Sequence, residues 1–311
     1  MKQILVIGSR GSKLALTQSR FVESELKRLN PQLETRIEIV TTSGDVRNEP
    51  LSVIGGKGVF TKELEEALFA KRIDLAVHSL KDLPTIVPEG LAIATICKRE
   101  DPRDALVLGR NSAGVGTASL TGLPPKAVVG TSSPRRLAQL KHLRRDLVLE
   151  DVRGNVDTRL RKLDEGQYHA LVLACAGLQR LGLANRISAA LSSEQMLPSP
   201  GQGALAIETR AEDKDTIEVV RQLDHKFTRL ACTAERSFLR SLGGGCQLPI
   251  AAYGSLRDKK IKLTGLVADT NGNQIIRDRI SGSFDEAEQL GIALAERVLA
   301  TGARELLDSS E

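Results

Sequence analysis

Short apolar runs alternate with stretches of helical spacing along the first two thirds of the chain. Gln3–Ser9 reads as a strand. Lys13–Leu29 reads as a helix, with Leu14, Leu16, Phe21, Val22, Leu26 and Leu29 at its apolar positions. Asn30-Pro31 stops that helix. Glu34–Val40 alternates with period two, as a strand with one covered face does. Phe60–Ala70 is again helical, and Leu75–Ser79 is a short buried strand. A second series repeats the plan: strand Ala127–Gly130, helix Pro134–Arg144, strand Leu147–Asp151, helix Val156–Glu165 and strand Ala170–Ala174. Strands alternating with helices predict a mostly parallel α/β sheet, here twice over. Arg99–Asp104 and Ser193–Gln202 read as crossings between the two series, and Ala204–Glu208 as a strand returning to the first sheet. From about Thr216 the pattern changes. A helix over Lys226–Leu242, strands near Ile250–Ser255, Lys260–Ala268 and Gln274–Ser281, and a helix over Phe284–Ala300 predict a smaller α+β tail.

Thr41–Gly58 is long and has little period. Such stretches inside compact domains are binding loops, lids or disordered segments. Its Gly-Gly-Lys-Gly end makes a mobile active-site cover as good a reading as a tolerated surface insertion.

Composition narrows the class. The 311 residues are 41% apolar and 27% charged, as in an ordinary soluble globular protein of two or three domains. No apolar run approaches the roughly 20 residues needed to span a bilayer, and the opening segment is too short in apolar residues for a signal peptide. Cys97, Cys175, Cys232 and Cys246 show neither metal-type spacing nor a disulfide framework, so no metal is expected. The net charge of +5 suggests an anionic ligand without choosing its kind.

Candidate chemistry gathers at strand-to-helix junctions. Gly8-Ser9-Arg10-Gly11-Ser12-Lys13 offers backbone N–H groups and a positive helix end to an anion, while Ser12 could equally cap the helix. His78-Ser79-Leu80-Lys81-Asp82-Leu83-Pro84-Thr85 follows a strand, where open α/β sheets bind ligands. Asp82 is there either half of an exposed ion pair or a carboxylate placed to move a proton and hold a developing cation. His78 by itself says little. Gly130-Thr131-Ser132-Ser133-Pro134-Arg135-Arg136 makes an anion cradle. A Ser133 cap followed by proline explains part of it, but two arginines opposing the helix macrodipole suggest a ligand. Arg153 and Arg159, in Asp151–Arg159, lie at the next junction. With Arg10, Arg135 and Arg136 they predict a cationic cleft suited to carboxylates. Nucleic acid fits poorly, since the chain has no Trp and only 3% aromatics to stack on bases. Gly243-Gly244-Gly245-Cys246-Gln247 leaves a thiol unshielded, a candidate nucleophile or attachment point. The other three cysteines fit apolar or helical patterns.

Taken in order, these segments closely resemble the hydroxymethylbilane synthase (porphobilinogen deaminase) family. The set also includes Gly-Gly-Lys-Gly-Val-Phe-Thr-Lys-Glu, Pro-Gly-Gln-Gly-Ala and Gly-Gly-Cys-Gln-Leu-Pro-Ile, and spans nearly the whole chain. The resemblance implies two domains like those of type II periplasmic binding proteins, 1–100 with 200–217 and 101–199. It implies a smaller α+β domain over 218–311. It implies that Cys246 carries a dipyrromethane through a thioether, on which four porphobilinogen units are condensed with loss of ammonia before hydrolysis to linear hydroxymethylbilane. Asp82 matches the family's catalytic carboxylate. Lys81, Asp82, Thr131, Ser132, Ser133, Arg135 and Arg136 match cofactor-binding positions, and Arg10, Ser12, Arg153 and Arg159 match positions that hold substrate carboxylates. The expected partners are porphobilinogen and the growing polypyrrole, with no nucleic acid and no membrane. A monomer is expected in a bacterial cytoplasm, or in a plastid stroma after loss of a transit peptide. The rival reading is a non-catalytic anion-binding protein, which leaves Cys246 and Asp82 without a role.

Overall fold

The computed structural model describes residues 4–42, 61–110, 118–245 and 247–308. Cys246 and all but the first two residues of the 41–58 stretch therefore lie outside the described residues. The chain divides into two compact units, Met1–Glu100 with Ala204–Arg229 and Asp101–Gly203 with Leu230–Glu311.

The first unit runs β1 (Ile4–Ser9), α1 (Lys13–Leu29), β2 (Glu34–Ile39), α2 (Lys62–Phe69), β3 (Leu75–Ser79), a 3₁₀ turn Leu80–Asp82 and β4 (Leu91–Ile96). The second begins with β5 (Asp104–Leu108), β6 (Val128–Gly130), α3 (Pro134–Leu143), β7 (Val148–Glu150), α4 (Val156–Asp164), β8 (Ala170–Ala174), α5 (Cys175–Arg180) and β9 (Ala189–Leu191). The chain then returns to the first unit with β10 (Leu205–Arg210) and α6 (Lys214–Arg221). The tail is α7 (Lys226–Ser241), the antiparallel strands β11 (Ile250–Arg257), β12 (Lys260–Ala268) and β13 (Ile275–Ser283), then α8 (Ala287–Val298) and α9 (Arg304–Asp308).

The two large sheets share one wiring. Their strand orders are β2-β1-β3-β10-β4 and β7-β6-β8-β5-β9. In each, the first three strands are parallel and the fourth is antiparallel to its neighbours. That fourth strand is, in each case, the first one after a crossing. The α/β reading for both halves and the α+β reading for the tail hold in the structure. The sequence pattern missed β4, β5 and β9, and it read Asp104 as part of a crossing rather than the start of β5. β9 has only three residues, and β5 opens on a charged residue that is fully buried, so neither carries a regular pattern.

Both large sheets are covered on both faces, which is why their inner strands read as near-continuous apolar runs, while the edge strands β2 and β7 do not. On the first, Leu5, Ile7, Leu75, Val77, Leu205 and Ile207 pack with Val22 and Leu26 of α1 and Val219 and Val220 of α6. Its other face meets Leu64, Ala67 and Leu68 of α2. The second sheet is filled likewise, with Leu140 of α3 on one side and Leu160 and Leu163 of α4 on the other. Within the second unit, Ala138 on the back of α3 packs with Ala251, Leu266 and Ala268 of the three-stranded sheet. The opposite face of that sheet closes over Phe238 and Leu294.

Candidate active site

At the carboxyl end of β1 the backbone lies close against the side chains of Ile73 and Leu64. A Cβ on Gly8 would sit 2.3 Å from Ile73 Cδ1. The chain then turns through half-buried Arg10 into α1, where Ser12 Oγ accepts from the Ala15 N–H at 3.3 Å. Ser12 is therefore a helix cap in this structure, whatever else its hydroxyl contacts. The 3₁₀ turn after β3 is pinned at its base. Leu80 N–H donates to Ala204 O at 3.0 Å, and Gln18 Nε2 donates to Ser79 Oγ at 2.9 Å. Asp82 stands exposed on that turn beside half-buried Lys81. His78 faces away from this surface chemistry, since its Nε2 lies 3.1 Å from Glu208 Oε2 on β10 and both side chains are buried. Nearby, burial pushes the Glu65 carboxyl up; its bond to Thr61 opposes the shift and the Glu208 charge adds to it.

The second unit repeats the junction with different side chains. A Cβ on Gly130 would meet Leu171 Cδ2 at 2.6 Å. Thr131 is buried and its Oγ1 accepts from Ser133 N–H at 3.3 Å, while Ser132 Oγ donates to Val152 O. Ser133 stands at the N-cap of α3 with Pro134 in its first turn, as the capping account has it, but its hydroxyl makes no side-chain bond to the helix terminus. The first turn of α3 also has no acidic residue, so its N–H groups and positive end lack the usual local anion.

Arg135 and Arg136 are buried, 4% and 6% exposed, and both grip Asp104. Burial opposes the Asp104 charge, and the two guanidiniums more than overcome that, holding its carboxyl well below the usual range. Arg153 is exposed and donates through Nε to Asp151 Oδ2 at 2.6 Å. Burial raises the Asp151 carboxyl, but Ser132 and Arg153 outweigh it and the net shift is downward. Arg159 donates Nε to Gly154 O at 2.8 Å and makes no direct ion pair among the described residues. Its pKa is lowered, first by burial and then by repulsion from Arg136, with Asp151 offsetting part.

The structure thus groups Arg10, Ser12, Lys81 and Asp82 at the carboxyl ends of β1 and β3 in the first unit. Thr131, Ser132, Ser133, Arg135, Arg136, Arg153 and Arg159 collect at the carboxyl ends of β6 and β7 in the second. A helix start without a side-chain cap and a partly buried Arg159 with no ion pair among the described residues leave this second face short of negative charge. A dipyrromethane bearing carboxylates fits that deficit. The sequence reading missed Asp104, Gln202 and Glu208, which are buried partners rather than parts of a junction. Gln202 lies in the Pro-Gly-Gln-Gly-Ala segment, which was the one available signal. Among the described residues no group of three His, Cys, Asp or Glu side chains could hold a metal ion, and no helix is long and apolar enough to cross a membrane.

Residues 5–218 match the family model described as porphobilinogen deaminase, dipyromethane cofactor binding domain, and residues 229–300 match the porphobilinogen deaminase C-terminal domain. The porphobilinogen deaminase of Synechococcus elongatus is 49% identical over 97% of this chain and 94% of its own length. That of Chlorobium limicola is 49% identical over 99% of this chain and 98% of its own, and that of Gloeobacter violaceus is 50% identical over 99% and 94%. Among solved structures, the BenM effector binding domain with benzoate aligns at a TM-score of 0.42 and 18% identity, covering 71% of this chain and 92% of that one. Holo ArgBP from T. maritima aligns at a TM-score of 0.36 and 16% identity, covering 71% and 88%.

Proposed function

This chain belongs to the porphobilinogen deaminase family, and from that premise we propose how its residues divide the work. Its function is that of a hydroxymethylbilane synthase, a transferase of tetrapyrrole biosynthesis. Four porphobilinogen molecules are condensed, with release of ammonia, onto a covalent dipyrromethane, and hydrolysis frees the linear hydroxymethylbilane. A non-catalytic anion receptor finds no support, because the matched relatives are deaminases over nearly their full length.

Asp82 is the catalytic carboxylate in this proposal. The observation that carries it is the exposed carboxylate on a pinned turn at the carboxyl end of β3, the central strand of the first sheet. Asp82 gives a proton to the departing amine of porphobilinogen, then faces the azafulvenium cation as a carboxylate and stabilises it. Lys81 beside it, with Thr131, Ser132, Ser133, Arg135 and Arg136, binds the carboxylates of the primer. Arg10, Ser12, Arg153 and Arg159 hold the acetate and propionate groups of incoming substrate, for which guanidinium geometry is well matched. When bound, the dipyrromethane supplies the acceptor pyrrole for the first condensation, and Cys246 anchors it by a thioether.

The three sheets correspond, on this reading, to domains 1–100 with 200–217, 101–199 and 218–311. The chain works as a monomer in the cytoplasm; sedimentation at several concentrations and cell fractionation check those two statements. Intact mass tests the central claim. Chain produced in a host that makes porphobilinogen should be heavier than its sequence by one dipyrromethane, and Cys246→Ser should lose that increment. A wild-type mass equal to the bare chain sinks it.

A further inference from the structure

Asp104 is the first residue of β5 and has no solvent exposure. It accepts from Arg135 Nη1 at 2.7 Å and Nη2 at 3.2 Å, from Arg136 Nε at 3.0 Å and Nη2 at 2.7 Å, and from Gln202 Nε2 at 3.0 Å. The two arginines are tied on their far sides as well. Arg135 Nη1 donates to Leu197 O at 2.7 Å and Arg136 Nη1 to Val172 O at 3.0 Å. Gln202 Nε2 also donates to Pro102 O at 2.7 Å, so the side chain that holds the carboxylate from one crossing is itself tied to the other.

The charge count matters as much as the bonds. Two guanidiniums meet one carboxylate, which leaves a fixed positive charge at the start of α3, where the macrodipole adds to it. Each guanidinium has five N–H donors, and three on each are used by the bonds above. The remaining donors are held in fixed directions and do not sample the many rotamers of a surface arginine. Fixing donors before a ligand arrives removes part of the ordering cost of binding.

We propose that Asp104 is a positioning residue for the primer: by clamping Arg135 and Arg136 together with Gln202, it presents their spare donors and net charge to the dipyrromethane carboxylates. This rests on the reading that Arg135 and Arg136 bind the primer, so the two claims need separate outcomes. Asp104→Asn keeps the shape and one of the two acceptor oxygens but removes the charge, Asp104→Glu restores it, Gln202→Leu loosens the clamp without changing charge, and Arg136→Leu tests the underlying reading.

Apo chain from a porphobilinogen-deficient host is incubated with graded porphobilinogen, and primer acquisition is followed by intact mass, with far-ultraviolet circular dichroism to confirm the fold. The porphobilinogen concentration giving half-maximal priming should rise about tenfold in Asp104→Asn, the effect of one lost charge-assisted contact. Asp104→Glu should recover much of that loss. Wild-type priming in folded Asp104→Asn, with priming lost in Arg136→Leu, overturns the role of Asp104 alone. Wild-type priming in Arg136→Leu as well overturns the reading beneath it. If Asp104→Asn does not fold, Gln202→Leu decides: a several-fold rise supports the clamp, and an unchanged value overturns it.

Discussion

Glu208 on β10 and Asp104 on β5 are buried carboxylates on the same strand of two identically wired sheets. In the first sheet the partner is His78 on the neighbouring strand β3, with Glu65 close by. In the second the partners are two arginines from α3 and a glutamine from the returning crossing. The surfaces above them differ in the same sense. β3 breaks into a 3₁₀ turn that leaves Asp82 in the open, whereas β8 runs straight into α5 with Cys175 buried. The Cys175 thiol is pushed up to about 11, first by burial and then by the charge of Asp101, so it offers no reactive thiolate. One backbone plan therefore yields two chemistries. A lone exposed carboxylate suits proton transfer, and a locked guanidinium cluster suits holding polycarboxylates.

The sharpest break between the two regions should appear in turnover. Asp82→Asn should slow bilane formation by about 10²–10⁴-fold, the usual scale of a positioned acid–base group. Its fold should stay as in wild type, and near-normal turnover would refute its role. Second in size is stability. Asp104→Ala leaves two buried guanidiniums without a counter-charge, which costs about 3–5 kcal/mol. Glu208→Ala leaves only one hydrogen-bonding partner unsatisfied, for about 1–3 kcal/mol. Urea unfolding, with hydrogen exchange in β5 and β10 to separate the units, measures both. Equal costs would mean the two carboxylates are not differently employed.

Acid titration sharpens the comparison further. The folded Asp104 carboxyl lies below its ordinary value of about 3.9. Its contribution is therefore fully present above roughly pH 4 and is lost only as pH falls through the lower folded value. Asp104→Asn should flatten the loss of stability below about pH 4 without changing its slope between roughly pH 5 and 8. The smallest effect belongs to Glu65, whose folded carboxyl is raised. The sign is opposite: its protonated form is favoured in the fold, so any contribution is lost as pH rises. Glu65→Gln should stabilise the first unit by about 0.5 kcal/mol at pH 7, read as a small rise in Tm. A fall in Tm would show that the ionised form is wanted there.

The junctions were legible because their residues break local rules. A Cβ at Gly8 or Gly130 would crowd Ile73 or Leu171, and Arg135-Arg136 oppose the helix dipole in plain view of the sequence. Long elements with strong period, such as α1, were readable to the residue. The cap position of Ser133 was legible because capping propensity is local, but that its hydroxyl is left unused by the helix was not. Asp104 looked like a polar residue of a crossing, since the arginine next to it, Arg103, pairs with Asp101 and the groups that neutralise Asp104 lie 31 or more positions away.

Order along the chain was enough to establish two wound α/β halves, an α+β tail, the strand ends where chemistry gathers and the family itself. Periodicity, turn residues and short motifs are all encoded within a few neighbouring positions. The pairing of residues far apart was settled only by folding. Asp104 meets Arg135, Arg136 and Gln202 across 31, 32 and 98 positions, and His78 meets Glu208 across 130. A buried charge can persist only beside its partners. Which partners those are depends on strand order and crossings, and no local pattern records either.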